Sequence, residues 1–220
     1  MKFDTILVAI SLFLVLISTE VARGQECGPG CPACSGKAVG DLMPPETIFG
    51  SILYIPDSEE ETAVLKFRYG LFSWMDVGIG YALDTEEPIW SVRVLPIAQD
   101  RNGWRPGLII GTGSVQTGGS DQSGYFQIVK KLDVVKERLE INLAGGYATD
   151  LPDFEENWVL GTVSMTLFEK AGALYTYDGV NSHIGLSFFA TEWLTLTGYV
   201  LEMEEPALSV GVQWGFGEKK

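Results

Sequence analysis

The chain has 220 residues, 29 acidic and 15 basic side chains, a formal net charge of −14, one histidine and three cysteines. This acidic balance excludes an electrostatic grip on nucleic acid, because a protein binds phosphates through a basic surface. Hydrophobic residues make up 46% of the chain and charged residues only 20%. The sequence therefore has to place a large apolar surface, and it has a single histidine for metal or acid–base chemistry.

The first 24 residues have the pattern of an export signal. Lys2 precedes an apolar stretch from Ile6 to Ile17, and Ala22-Arg23-Gly24 supplies small residues before a cut. The stretch is too short for a membrane-spanning helix, which needs about 20 apolar residues. We therefore predict a cleaved signal peptide over residues 1–24. No later run of apolar residues is long enough to predict a transmembrane helix.

Residues 25–45 are rich in Cys, Gly and Pro, and we predict a flexible leader there. The spacing of Cys27, Cys31 and Cys34 resembles the three-cysteine iron–sulfur motif of radical enzymes, and three thiolates could also form an incomplete zinc site. Exported thiols tend to pair, so we favour one disulfide and one spare thiol. An intermolecular disulfide is the alternative. We predict no metal site and no cofactor.

From residue 46 onward the sequence alternates between apolar and polar or small residues. A period of two predicts β-strands with two different faces. Twelve such segments lie between turn signals, at about residues 47–54, 61–69, 75–83, 88–97, 107–115, 123–132, 138–147, 156–166, 172–178, 183–190, 194–202 and 207–216. Their lengths approach the ~9–11 residues of a tilted transmembrane strand. We predict an all-β fold, a single antiparallel up-and-down transmembrane β-barrel of about 12 strands over residues 46–217, followed by a basic tail at 218–220.

The charge of the connections supports this topology over a soluble β-sandwich or lipocalin-like binding protein, which are the alternatives. If the connections alternate between two sides, one set contains 16 acidic residues and no Lys or Arg. That set comprises residues 57–61, 84–87, 116–122, 150–156, 178–182 and 202–206. The other set holds the basic residues Arg101, Arg105, Lys136, Arg138, Lys170, Lys219 and Lys220, with Lys130 and Lys131 nearby. Acidic and basic residues are thus separated between alternate connections along the chain, and a soluble β-sandwich offers no reason for such a separation.

The polar faces of the predicted strands supply the candidate functional residues, which would project into the lumen. They are Lys66, Arg68, Asp76, Arg93, Glu140, Asn142 and Gln213. If they converge, they form either a structural network of ion pairs or the lining of a narrow passage, since a barrel of this size allows both.

The last predicted strand ends in Ser209-Val-Gly211-Val-Gln-Trp214-Gly-Phe216. This segment resembles the last-strand signal of outer-membrane barrels, with a polar residue, a glycine and two aromatic residues at fixed spacing. Ser209, Gly211, Trp214 and Phe216 carry the resemblance. It implies the bacterial outer membrane as the location, and barrel assembly machinery and outer-membrane lipid as partners.

Four further runs, residues 70–81, 92–95, 104–113 and 123–130, are similar to hairpins of the YjbH-like outer-membrane family, which is associated with exopolysaccharide production. The resemblance implies a barrel with a role in envelope architecture, or in passage of a polysaccharide or small solute. It brings no catalytic residues.

A rim site is the enzymatic alternative. His183 lies close to Asp178 and Ser182 in sequence, and some outer-membrane lipid-modifying enzymes use a rim histidine with such partners to activate a nucleophile. The local order matches no nucleophile motif. We therefore predict no catalytic residues and no enzymatic activity.

Overall fold

A computed structural model describes residues 42–56, 62–100, 103–113, 122–135 and 138–216. Within these ranges the chain forms twelve strands and no helix. The strands are β1 Thr47–Tyr54, β2 Ala63–Phe72, β3 Met75–Ala82, β4 Glu87–Ile97, β5 Gly107–Gly113, β6 Ser123–Val135, β7 Leu139–Asp150, β8 Asn157–Leu167, β9 Ala171–Tyr177, β10 Ser182–Phe189, β11 Leu194–Leu201 and β12 Glu205–Gly215. The signal peptide, the three cysteines and the basic tail lie outside the described residues, so the predictions made there stay predictions.

The twelve strands close into one antiparallel barrel in which each strand pairs with its neighbours in sequence. The ring closes where β1 pairs with β12, from Thr47 opposite Gly215 to Tyr54 opposite Leu208. Closure leaves no strand edge without a partner. The predicted single up-and-down barrel of 12 strands is confirmed.

The outer wall of the barrel is apolar. Ile79, Val159 and Leu186 are 69%, 63% and 67% exposed, although a soluble barrel would turn such side chains inward. Exposed Tyr81, Tyr147 and Tyr175 lie toward one end of the strands, and the other end carries its own set of exposed aromatic residues, Trp74, Trp104, Trp193 and Phe216. Two aromatic girdles around an apolar band are typical of transmembrane barrels. The part of the chain that the structure describes has no helix long and apolar enough to cross a bilayer.

The two ends of the barrel differ in charge. One end, here the terminus end, carries the start of β1, the end of β12 and the turns after the even-numbered strands. The other, the loop end, carries the connections after the odd-numbered strands. Among the described residues, eleven of the 16 acidic residues counted in the sequence lie at this end, eight of them in the connections and Glu87, Asp150 and Glu205 at strand ends. The other five lie outside the described residues. The topology therefore brings the described acidic residues of this set to one end, as their parity predicts.

Three glycines on the inner wall seat aromatic rings from neighbouring strands. A Cβ atom on Gly111 would lie 2.7 Å from the ring of Tyr125, and one on Gly185 would lie 2.9 Å from the ring of Tyr199. Gly211 has the same relation to Phe49 at 2.7 Å. The rings thus fill the space that these glycines leave and tie strands together from the inside.

Candidate functional site: the barrel lumen

The structure places the seven predicted lumen residues on the inner face, where they alternate with outward apolar side chains. On β2, for example, Lys66 and Arg68 flank Phe67, which is exposed. The seven residues do not meet in one cluster. Lys66, Arg68, Asp76 and Arg93 lie on adjoining strands of one wall, and Glu140 and Asn142 lie on β7. Gln213 lies on β12, apart from both groups.

Asp76 is the centre of the first group and is fully buried. Arg93, its register partner on β4, donates two hydrogen bonds to it, from Nε to Oδ1 at 2.9 Å and from Nη2 to Oδ2 at 2.6 Å. The main-chain N–H of Met43 donates to Oδ2 at 2.8 Å. A two-pronged ion pair with a further donor is the arrangement that best compensates the cost of burying a carboxylate.

The hydrogen bond from Met43 belongs to an N-terminal strap, residues 42–46, that folds onto the inner wall beside β2. Leu42 and Met43 are buried. A side chain on Gly70 would overlap the carbonyl oxygen of Pro44, so the strap crosses the wall where β2 has a glycine. The predicted flexible leader included residues 42–45, and the structure holds these four residues against the barrel at the terminus end.

A second polar group lies on β6, β7 and β8. Lys131 Nζ pairs with Glu140 Oε2 at 2.6 Å. Asn142 Nδ2 donates to Glu140 Oε1 at 3.2 Å and to Ser164 Oγ at 3.4 Å. The sequence pattern placed Lys131 within the predicted strand 123–132, but Lys131 was not among the seven lumen candidates. Its alternation with Leu132 along β6 was the signal that could have found it.

The polar lumen is open to solvent at some of these side chains. Arg68 keeps 36% of its side-chain surface exposed and Glu140 keeps 24%. Arg68 Nε lies 3.8 Å from Asp76 Oδ1, too far for a hydrogen bond, and this buried nitrogen has no hydrogen-bond partner. Arg68 is therefore a cation that its carboxylate neighbour does not saturate.

The inner wall toward the loop end is apolar over six adjoining strands. Two buried clusters lie there, and Leu53 of β1 packs against both. The first contains Ile55, Leu201 and Ala207, and the second contains Val64, Ala82 and Ile89. Over these six strands the inner wall thus changes along its length, from charged side chains near the terminus end to apolar packing near the loop end.

The structure does not assemble the rim site of the enzymatic alternative. His183 is 1% exposed and points inward, whereas Ser182 precedes it in β10 and bonds to the hydroxyl of outward-facing Tyr175 at 2.9 Å. His183 Nδ1 accepts the main-chain N–H of Glu202 at 3.1 Å, and Nε2 lies 2.8 Å from Asp178 Oδ2. Both ring nitrogens are engaged in joining two connections, and neither is directed at a serine.

Asp178, in the connection between β9 and β10, is the acidic partner of His183 in this joint between two connections. Burial raises the pKa of its carboxyl, but hydrogen bonds from His183 and from the N–H groups of Asn181 and Val180 outweigh burial and hold the pKa at about 2. The carboxylate is therefore a structural acceptor that stays ionised.

Among the described residues, no group of three His, Cys, Asp or Glu side chains is placed to hold a metal ion. The arrangement offers a barrel with a partly solvated, charged inner wall.

Comparison with known proteins bears on the fold. No family model and no curated protein matches the chain. Among solved structures, the chain is similar to KdgM porin, with a TM-score of 0.52 and 13% identity over 78% of this chain and 99% of that one. It is also similar to OprB of Pseudomonas putida at low pH (TM-score 0.33, 12% identity, 77% of this chain and 62% of that one) and to Ail, the attachment invasion locus protein of Yersinia pestis (TM-score 0.17, 9% identity, 76% and 96%).

The match to KdgM porin bears on the fold, at an identity too low to carry a function. Together with the closed ring of strands and the apolar outer wall, it defines the class: the chain has the fold of an outer-membrane β-barrel.

Proposed function

We propose that the chain is a non-enzymatic barrel of the bacterial outer membrane that gives small hydrophilic solutes a narrow passage. We propose that the terminus end faces the periplasm and the acidic loop end faces outward, because the periplasmic connections of such barrels are short and the outer loops are longer. The carrying observation is the contrast between the two walls. The outer wall is apolar and exposed, whereas Arg68 and Glu140 on the inner wall are charged and reach solvent.

Planar-bilayer recording tests the passage directly. Folded barrel added to a bilayer should give discrete conductance steps in potassium chloride, and the same protein denatured by boiling should give none. Absence of steps in several salts at high protein concentration would contradict the passage.

A second function, a non-conducting barrel in envelope architecture, is favoured by a different observation. The buried clusters around Leu53 pack apolar side chains across six strands toward the loop end, and a hydrophobic constriction resists wetting and ion flow. A barrel that folds in the outer membrane, conducts nothing and weakens the envelope when deleted would support this role. The YjbH-like resemblance fits either role, with a polysaccharide as the passing or associated molecule.

The enzymatic alternative has less support, because Ser182 and His183 lie on opposite faces of β10. Phospholipase or acyltransferase activity that disappears in His183→Ala would overturn the non-enzymatic assignment.

The barrel assembly machinery is the proposed folding partner, and the C-terminal strand is its proposed signal. Trp214 and Phe216 stack with ring centroids 6.4 Å apart beside the β1–β12 closure. Phe216→Ser should lower the amount of barrel in the outer membrane. Phe188→Ser, at a similarly exposed aromatic residue in β10, is the control and should lower it less.

A further inference from the structure

The first observation concerns charge. Lys66, Arg68 and Arg93 lie on the inner faces of β2 and β4, and Asp76 on β3 is the acidic residue between them. Asp76 is committed to Arg93 through two hydrogen bonds. Two cations of this wall, Lys66 and Arg68, are thus left over in a chain whose overall charge is strongly negative.

The second observation concerns their partners. Arg68 lies 3.8 Å from Asp76, and its Nε is buried without a hydrogen bond. In the described residues Lys66 has no ion pair. A buried donor without an acceptor is destabilising, so a wall built this way favours a ligand that supplies acceptors.

The third observation concerns solvent access. Gly78 is the register partner of Arg68, and Gly80 is the register partner of Lys66. A Cβ atom on Gly78 would lie 2.5 Å from Ser91 Oγ, and one on Gly80 would lie 3.3 Å from Lys66 Cγ, so these two side chains occupy the room that the glycines leave. Solvent reaches this wall at the Arg68 side chain, 36% of which is exposed. Asp76 and the Met43 N–H lie on the side of Arg68 toward the terminus end.

We infer that Lys66 and Arg68 form an oxyanion-binding site in the lumen, which takes the carboxylate or phosphate group of a small hydrophilic solute. This inference rests on the proposed passage and names its substrate class. The planar guanidinium of Arg68 matches two oxygens of such a group. The ammonium of Lys66, two residues earlier on the same face of β2, adds a second positive charge. Arg93 stays with Asp76 and shapes the site without joining it.

Titration calorimetry on detergent-folded barrel tests the site, with succinate and inorganic phosphate as separate probes and glucose as the neutral control. We expect one or both anions to bind and glucose to give no heat. The two arms show whether the site prefers a carboxylate or a phosphate.

Variants locate the binding. Arg68→Gln and Lys66→Gln should each weaken it at least tenfold. Lys170→Gln removes the same charge from the exposed β8–β9 turn and should leave it unchanged. Arg68→Lys keeps the positive charge but lacks the planar guanidinium, so its affinity for the anion should lie between those of Arg68→Gln and the wild-type barrel. Gel mobility before and after boiling establishes that each variant is folded, and Lys66→Gln serves if Arg68→Gln does not fold.

The outcomes separate this site from the passage. Equal binding in all variants, or no anion heat in the wild-type barrel, overturns the site. A barrel that conducts in bilayers but binds neither anion overturns the site and leaves the passage. A barrel that binds an anion through Arg68 but never conducts overturns the passage and leaves the site.

Discussion

At the scale of single residues, the buried carboxylate of Asp76 organises the charged wall. It neutralises the charge of Arg93 and accepts a hydrogen bond from the main-chain N–H of Met43, but it neutralises the charge of Arg68 only in part. One side chain therefore sets both the stability of this wall and the charge that the lumen presents to a solute.

Asp76→Ala should lower the free energy of unfolding by about 3–5 kcal/mol, because it removes the buried carboxylate that accepts two hydrogen bonds from the guanidinium of Arg93. The measurement is urea unfolding of the detergent-folded barrel. Glu140→Ala is the matched comparison, and since the Lys131–Glu140 pair is partly exposed the loss should be about 1 kcal/mol or less. Equal losses in the two variants would contradict the central place of Asp76.

Asp178 gives the loop end a dependence on acid. Its pKa lies near 2 in the folded barrel, below the ordinary value of 3.8, so its stabilising effect is complete above about pH 5 and is lost progressively as the pH falls to about 1. The loss should be about 2 kcal/mol. Urea unfolding across this pH range should show it in the wild-type chain and a flatter profile in Asp178→Asn. Parallel profiles for the two proteins would refute this account of the joint.

The partners of these residues lie beyond what a sequence pattern reveals. A period of two predicts which side chains point inward, and the structure places the seven candidates on that face. It does not predict that Arg93 pairs with Asp76 while Arg68 stays incomplete, because this depends on the register between strands. The strap is harder still, since the bond from Met43 to Asp76 joins residues 33 positions apart.

At the scale of strands, the sequence predicted the number and order of elements better than their ends. The prediction of 123–132 ends before the true end of β6 at Val135, because β7 continues to pair with β6 as far as Leu139 opposite Val135. The pairing partner therefore extends a strand past the point where its own alternation becomes unclear.

Glycine positions are a testable property of these strands. Gly185→Ala should destabilise the barrel, because a Cβ atom would lie 2.9 Å from the ring of Tyr199. Gly198→Ala on the adjoining strand meets nothing within 4 Å and should be neutral. The two thermal unfolding midpoints, measured in the same detergent, should differ by several degrees. A lower unfolding temperature for Gly198→Ala than for Gly185→Ala would contradict the packing of the Tyr199 ring against Gly185.

At the scale of the whole molecule, the acidic net charge and the high apolar content belong to different surfaces. In the sequence, 16 of the 29 acidic residues belong to the connections assigned to the loop end, whereas in the described residues apolar side chains cover the outer wall and the basic side chains Lys66, Arg68 and Arg93 line the lumen. An acidic net charge together with a high apolar content is unusual for a soluble fold, but it is expected for a barrel whose outer wall faces lipid.

The most direct test of this account is the gel mobility, before and after boiling, of the protein extracted from the outer-membrane fraction of expressing cells. A closed barrel satisfies its main-chain hydrogen bonds internally and resists detergent at room temperature. We predict that the protein sediments with the outer membrane and migrates differently before and after boiling. Recovery in the soluble periplasmic fraction, with one mobility under both conditions, would contradict a membrane-spanning barrel.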